Sequence, residues 1–303
     1  MKVTLLADAE PRPRHVAVGE FDGVHRGHRE VIRGADTVLT FEPHPRAVVS
    51  PDAVPKLLNS LDVKIDLIAG LGVSELVVAP FDSAFAALTA QAFVDDILVD
   101  RLGARTVTVG ENFRYGRKAS GDTEHLRAQA AFETRVVPLV EYDAEIVSST
   151  HIRGLVMAGD LARANAFLGA PYELRGPVVH GDARGRTLGY PTANLVPHNA
   201  LVYPGNGVYA CRAALRMADG ADWEWHAAAT SVGVRPTFVT GRGVLVEAFL
   251  LDFDADLYGR ELRLEFLERL RGEKRFNSVE ELVDQMHADV EATRAAASLP
   301  DRT

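Results

Sequence analysis

The apolar positions in the first half of the chain switch repeatedly between two periods. Residues 15–21 (HVAVGEF) alternate small and β-branched side chains and then reach Gly19, which predicts a strand entering a tight turn. A short helical run (REVI, 29–32) follows. The next predicted strand, 36–41 (DTVLTF), ends in EPHP, where two prolines forbid continuation. Residues 60–72 carry apolar side chains near every 3.6 positions, with Ser60 placed as N-cap and Gly72 as stop. Strands are predicted at 74–81, 104–110 and 135–140, and a further helix at 89–103. Strand and helix alternate, so the expected layer is a parallel α/β sheet with its ligands at the carboxyl ends of the strands.

After residues 168–176 (LGAPYELRG) the pattern shortens. Strand-like runs such as PVVHG, GVYACRAALRM, WEWHAAATSVG, VLVEAFLLDF and LRLEFLERL are separated by Gly and Pro, which predicts an antiparallel barrel or sandwich. The final segment, 278–297, is helical in period. Ser278 and Glu281 form a capping box, and Leu282, Val283, Met286 and Val290 make one apolar face. The boundary is placed near Ala170, giving domains of 1–168 and 172–297.

Composition narrows the class. The 303 residues are 47% hydrophobic and 25% charged, with a net charge of −9, which is ordinary for a soluble protein of about two domains. The acidity is shared by both halves, and no basic block points to nucleic acid or an anionic membrane. The one cysteine, Cys211, allows neither an intrachain disulfide nor a cysteine-rich zinc site, which fits a reducing, cytoplasmic setting. No secretory leader and no membrane span are read in the pattern.

The candidate chemistry begins at GEFDGVHRGHREVI (19–32). His25 and His28 lie three apart with Gly27 between them. They could be structural histidines. They could also be metal ligands, although no further ligands sit at metal-site spacing. The third reading is phosphate handling, in which a strand ends at Gly19, a helix begins near Gly27, and imidazole N–H groups stabilise phosphate charge. SSTHIR (148–153) reads as a helix cap or as a second phosphate grip. ENFRYG (111–116) reads as a surface turn or a ligand loop. GDARGRTLGYPTANL (181–195) has Gly181, Gly185 and Gly189 at four-residue intervals but no Gly-Lys-Ser/Thr, so it is a strand connection or a phosphate-wrapping loop that is not a Walker A. DFDADLYG (252–259) has DxDxD spacing, but Leu257 and Arg263 stand where a calcium loop needs Gly and Glu.

Taken together, GEFDGVHRGH, FEPHP (41–45), VGENFRYG (109–116), SSTHIR, HGDARGRTLGYPTANL (180–195), VGVRPTF (232–238) and VEAFLLDFDADLYG (246–259) resemble the bifunctional bacterial riboflavin kinase/FAD synthetases, in order and over nearly the whole chain. The resemblance implies a Rossmann-like, parallel-sheet nucleotidyltransferase domain (1–168) followed by an antiparallel β-barrel riboflavin kinase domain (172–297) with a C-terminal helix. It implies FMN adenylyltransferase activity in the first and riboflavin kinase activity in the second, with ATP, riboflavin and FMN as substrates and Mg²⁺ as cofactor.

By the same resemblance, His25 and His28 serve the ATP phosphates, and Gly19, Phe21, Asp22 and Gly27 shape that loop. Ser148, Ser149, Thr150 and Arg153 supply hydroxyls and a forked guanidinium, which suits phosphate oxygens. Asn112 and Arg114 meet the flavin. In the second domain, Gly181, Gly185 and Gly189 wrap ATP phosphate, Thr192 and Asn194 hold Mg²⁺, and Glu247 is the base that deprotonates the ribityl 5′-hydroxyl. Arg235 lines the flavin pocket. Alternation along the strand points Glu247 to the face opposite Val246 and Ala248.

Only about a dozen residues separate His28 from Phe41, a tight βα crossover. The alternative is therefore a riboflavin kinase with an impaired adenylyltransferase domain. A flavin-binding regulator is a further competitor, but it needs neither a general base nor a metal pair. An adenylyltransferase for another phosphorylated substrate would not need ENFRYG or the attached kinase domain.

Overall fold

The computed structural model describes residues 1–179, 192–196, 198, 200–216, 223–233 and 244–297. The chain divides into two compact units, Met1–Ser149 and Thr150–Thr303.

The first unit is a six-stranded parallel sheet. Its strands are β1 (Lys2–Leu5), β2 (Arg14–Val18), β3 (Thr37–Glu42), β4 (Glu75–Pro80), β5 (Ala104–Gly110) and β6 (Glu133–Val137), in the order β1-β4-β3-β2-β5-β6. Val16, Ala17, Val38, Leu39, Leu76, Val77 and Val107 are fully buried, as strands covered on both faces require. The helices are α1 (Arg26–Ile32), α2 (Pro45–Val49), α3 (Leu61–Ala69), α4 (Ser83–Ala86), α5 (Ala90–Ala92) and α6 (Thr123–Arg127), with a π-helical stretch, Phe93–Arg101, continuing α5. The chain steps one way from β2 to β3 and β4, then restarts on the other side of β2 with β5. The carboxyl end of β2 is thus a topological switch point, where open α/β sheets form their crevice.

The tight crossover closes. A helix of seven residues, α1, buries Val31 and Ile32, and β3 then pairs parallel with β2 from Val16 to Val18. β1 was not expected: only Thr4 is buried while Val3 and Leu5 are exposed, and the short apolar run gives little signal on its own. At the opposite end of the sheet, the Glu75 carboxylate takes bonds from Thr4, Arg12 and Arg14 and ties β1, β2 and β4 together. A small hairpin, β7 (Glu141–Tyr142) with β8 (Glu145–Ile146), precedes the last residues of the unit.

The second unit opens with α7 (Ser149–Ala158) and α8 (Leu161–Leu168). The Asn165 amide on α8 donates to the carbonyls of Phe266 and Leu267, and its oxygen accepts from the Tyr172 N–H. A closed antiparallel barrel follows. Its strands are β9 (Tyr172–Val179), β10 (Ala193–Leu195), β11 (Gly207–Leu215), β12 (Glu224–Gly233), β13 (Leu245–Leu250) and β14 (Glu261–Arg271), closing in the order β10-β13-β12-β11-β14-β9. Leu174, Tyr209, Cys211, Ala228, Val246, Ala248, Leu264 and Phe266 fill its interior.

Helix α9 (Val279–Ala296) closes the described chain. Ser278 Oγ accepts from the Glu281 N–H as the capping box predicts, but Glu281 reaches back to the Asn277 N–H, one residue earlier than expected. The α9 face from Leu282 to Val290 is only half-buried. Its inward anchor is Asp289, which takes a forked guanidinium from Arg271.

Candidate active sites

The β2–α1 loop is built under constraint. Phe21 and Val24 adopt positive φ (54° and 41°) although neither is glycine, and both side chains are buried. A Cβ on Gly19 would meet the Phe21 ring at 2.9 Å, so glycine there makes room for the phenyl group. Phe21 stands edge-on to His28, with ring centroids 5.4 Å apart. His25 lies parallel to His28 at 3.5 Å. A Cβ on Gly27 would come within 3.3 Å of the His25 ring, so this glycine makes space for an imidazole.

His25 caps α1. Its Nδ1 accepts the His28 N–H at 3.3 Å, which leaves the ring hydrogen of a neutral His25 on Nε2. Nδ1 of His28 has no hydrogen-bond partner. Burial holds the His28 pKa well below the usual imidazole value, and the charges of His25 and Lys64 push it the same way. His28 is therefore a buried ring held neutral, packed against His25 at the switch point.

A floor under this loop was not read from the sequence. Asp22 is buried and its carboxylate accepts the Leu58 N–H, while the Gly23 N–H goes to the Asn59 side-chain oxygen. Asp22 thus anchors the loop. Nζ of Lys64 donates to the Glu20 carbonyl at 2.7 Å, and Nε2 of His44 lies 2.6 Å from the Glu20 carboxylate. The available signal was a lysine among the buried positions of α3, beside Val63 and four before Ile68. Ser149 Oγ donates to the Asp22 carbonyl. The SSTHIR motif straddles the two units: Ser148 and Ser149 end the first, while Thr150 and Arg153 are on α7 in the second, 3.3 Å apart through Oγ1 and Nη1.

Asn112 and Arg114 follow β5 and are exposed. Arg114 lines a cavity of about 590 Å³ with Phe41, Phe81, Phe85, Phe113 and Tyr115. The rings of Phe41, Phe81 and Phe85 pack within 6 Å of one another, and Phe113 stacks on Tyr115 at 5.5 Å. Phe41, Phe81 and Phe113 all lie at or just past the carboxyl ends of parallel strands. The sequence reading missed Phe81 and Phe85, whose only signal is a pair of aromatics four apart immediately after a strand.

In the barrel, strand register assembles the site. Asn194 on β10 is opposite Glu247 on β13, and Glu247 is opposite Ser231 on β12. Directly paired residues project to the same face, so Asn194, Glu247 and Ser231 form a row across three strands. Val246 and Ala248 are fully buried and Glu247 is half-buried, as alternation requires. Thr192 lines a hollow of about 450 Å³ with Phe253, Asp254, Asp256 and Tyr258. Ser231 lines another, of about 560 Å³, with Arg271, Lys274 and Phe276. Glu247 lies on β13, which lends Leu250 to the first hollow and pairs with β12, which lends Ser231 to the second.

Asp252, the first residue of the DxDxD run, is held by both terminal nitrogens of Arg294. Trp223 and Trp225 take Arg216 and Arg263 over their rings, at 4.3 and 5.2 Å. Gly181, Gly185, Gly189 and Arg235 lie outside the described residues.

Comparison with known proteins accounts for both units. The FAD synthetase family profile matches residues 7–151, and the riboflavin kinase profile matches residues 168–297. A bifunctional riboflavin kinase/FMN adenylyltransferase of Listeria monocytogenes is 38% identical over 92% of this chain and 91% of its own. That of Escherichia coli K12 is 36% identical over 90% of each. A Streptococcus pneumoniae crystal structure described as a macrolide-efflux protein superposes with a TM-score of 0.86 at 33% identity, covering 97% of this chain and 99% of that one. Among the described residues here, no helix is long and apolar enough to cross a membrane. Two matched domains in this order, with relatives aligned across both, place this chain in the bifunctional riboflavin kinase/FMN adenylyltransferase family.

Proposed function

We propose that the barrel phosphorylates riboflavin to FMN and that the α/β unit adenylylates FMN to FAD with release of pyrophosphate. The functional division falls at 1–168 and 172–297, and the work is done in the cytoplasm, where ATP is supplied. The observation that carries the reading is the cross-strand row Asn194–Glu247–Ser231, on strands that also help line two hollows. It accompanies a separate histidine pair at the switch point of a parallel sheet.

In the kinase step, ATP occupies the hollow lined by Thr192 and Tyr258, and riboflavin the one lined by Ser231 and Phe276. The Glu247 carboxylate takes the proton from the ribityl 5′-hydroxyl as that oxygen attacks the γ-phosphate. Asn194 is opposite Glu247, and its amide oxygen and the Thr192 hydroxyl two residues earlier are hard donors that suit Mg²⁺. When bound, the ion neutralises charge on the phosphates. Gly181, Gly185 and Gly189 wrap the phosphates, and Arg235 borders the flavin.

In the adenylyl step, the aromatic cavity takes the isoalloxazine ring, with Asn112 and Arg114 as polar contacts at its rim. The volume and ring walls fit a tricyclic, mostly apolar ligand. The FMN phosphate attacks the α-phosphate of ATP. His25 and His28 donate N–H groups to the phosphate oxygens as charge moves to the departing pyrophosphate. Ser148, Ser149, Thr150 and Arg153 are the second grip. Positioning and charge stabilisation suffice, since this transfer needs no protein nucleophile.

Kinase activity alone is not favoured, because both family profiles match. The test is a time course with riboflavin, ATP and Mg²⁺, with flavins separated by chromatography. FMN appears first and FAD follows; FMN that accumulates without FAD would overturn the adenylyltransferase assignment.

A further inference from the structure

Lysine is rarely buried without a partner, yet Lys64 is only 5% exposed. It occupies a core-facing position of α3, between the buried Val63 and Ile68. Its Nζ reaches the Glu20 carbonyl at 2.7 Å, and Thr40 Oγ1 donates to the same oxygen at 3.1 Å. Two further bonds come from the same stretch of chain, from Leu58 N–H to Asp22 and from Gly23 N–H to Asn59. Residues 58–64 thus hold three of the four residues between Glu20 and Gly23, the part of the loop that must keep Phe21 at positive φ and His28 against its ring.

The surroundings are charged. Burial lowers the Lys64 pKa, and the carboxylates of Asp22 and Glu42 act in the opposite sense. The Glu20 carboxylate is paired with His44, and Lys64 meets Glu20 through its backbone carbonyl. His28 senses the Lys64 charge from above, together with that of His25. No step assigned above uses this lysine.

We propose that Lys64 is a positioning residue for adenylyl transfer: it clamps the β2–α1 loop from below and places a fixed positive charge beneath the His25–His28 pair. The clamp holds the two rings in place, and the charge adds to the potential that meets the ATP phosphates. This rests on the phosphate role given to the histidines.

The test compares Lys64→Met, which keeps the stem but not the charge, with Lys64→Arg, which keeps the charge. FAD formation from supplied FMN is followed across pH, with thermal unfolding of each variant as the folding control. Lys64→Met should lose about 10- to 100-fold in kcat for FAD formation with a smaller change in the KM for ATP. Its acid limb should move up towards the ordinary imidazole range, because His28 is relieved of a neighbouring cation. Lys64→Arg should recover much of the rate and keep the limb low. If Lys64→Met unfolds, Lys64→Gln carries the same comparison.

An unchanged rate in Lys64→Met, or a lost rate with the acid limb unmoved, overturns the proposal. His28→Ala run in parallel separates the two claims. If it leaves FAD output intact, the histidine role itself fails; if only the Lys64 variants behave as wild type, the lysine proposal alone fails.

Discussion

The candidate sites of the two units, each proposed to hold ATP phosphates beside a flavin, are encoded in opposite ways. In the α/β unit the phosphate loop is local. Gly19, Phe21, Gly27, His25 and His28 lie within ten residues, and they pack on one another. In the barrel the residues are far apart in sequence. Asn194 and Glu247 meet only because β10 pairs with β13 in one register, and Ser231 joins them only through β12. A strained loop writes itself as a short motif. A cross-strand site leaves an ordinary-looking carboxylate in an ordinary-looking strand.

The sharpest way to break this contrast is to remove the base. Glu247→Gln should lower FMN formation by about 10²- to 10⁴-fold while FAD formation from supplied FMN continues, as chromatography of each reaction would show. Loss of both activities would contradict separate sites. Next in size, His28→Ala should cut FAD formation by about 10²- to 10³-fold and leave riboflavin phosphorylation unchanged.

A smaller effect concerns the aromatic cavity. Phe113→Ala removes one wall and its stack on Tyr115. It should raise the KM for FMN by about tenfold, with the kinase KM for riboflavin unaltered; equal changes in both would place the flavin of the adenylyl step elsewhere.

The pH profile sharpens the contrast further. His28 binds a proton less readily than a free imidazole of pKa 6.5, chiefly because it is buried and also because His25 and Lys64 are cationic neighbours. The ring stays neutral as pH falls through that value, so kcat/KM for FAD formation should hold down to a lower pH. An acid limb at or above 6.5 would contradict a neutral His28. The smallest effect is Ser278→Ala, which removes the α9 cap. It should cost about 1 kcal/mol of stability in thermal unfolding, with both activities kept.

Much of the α/β sheet was legible because strands covered on both faces read as apolar runs bounded by Gly and Pro. β5 begins and ends where its pattern does. β1 and β10 were not legible, being short and held by their neighbours' register. At the site, the loop motif gave His25 and His28, but the floor was silent. Lys64 and Asn59 belong to a helix and its approach, far along the chain from the loop they support, and only the fold brings them beneath it. Asp22 was read as shaping the loop, and its carboxylate accepts the Leu58 N–H. Phe81 was read only as the end of a strand and Phe85 not at all, yet both line the cavity.

Complementation tests the central claim, two independent sites in one chain. Glu247→Gln and His28→Ala proteins are each incubated with riboflavin, ATP and Mg²⁺, alone and mixed in equal amounts, and FAD is quantified. Alone, the first should make no FMN and the second FMN without FAD. The mixture should make FAD, because FMN released by one chain reaches the intact adenylyl site of the other. A mixture that makes no FAD, with each variant folded, would contradict the account.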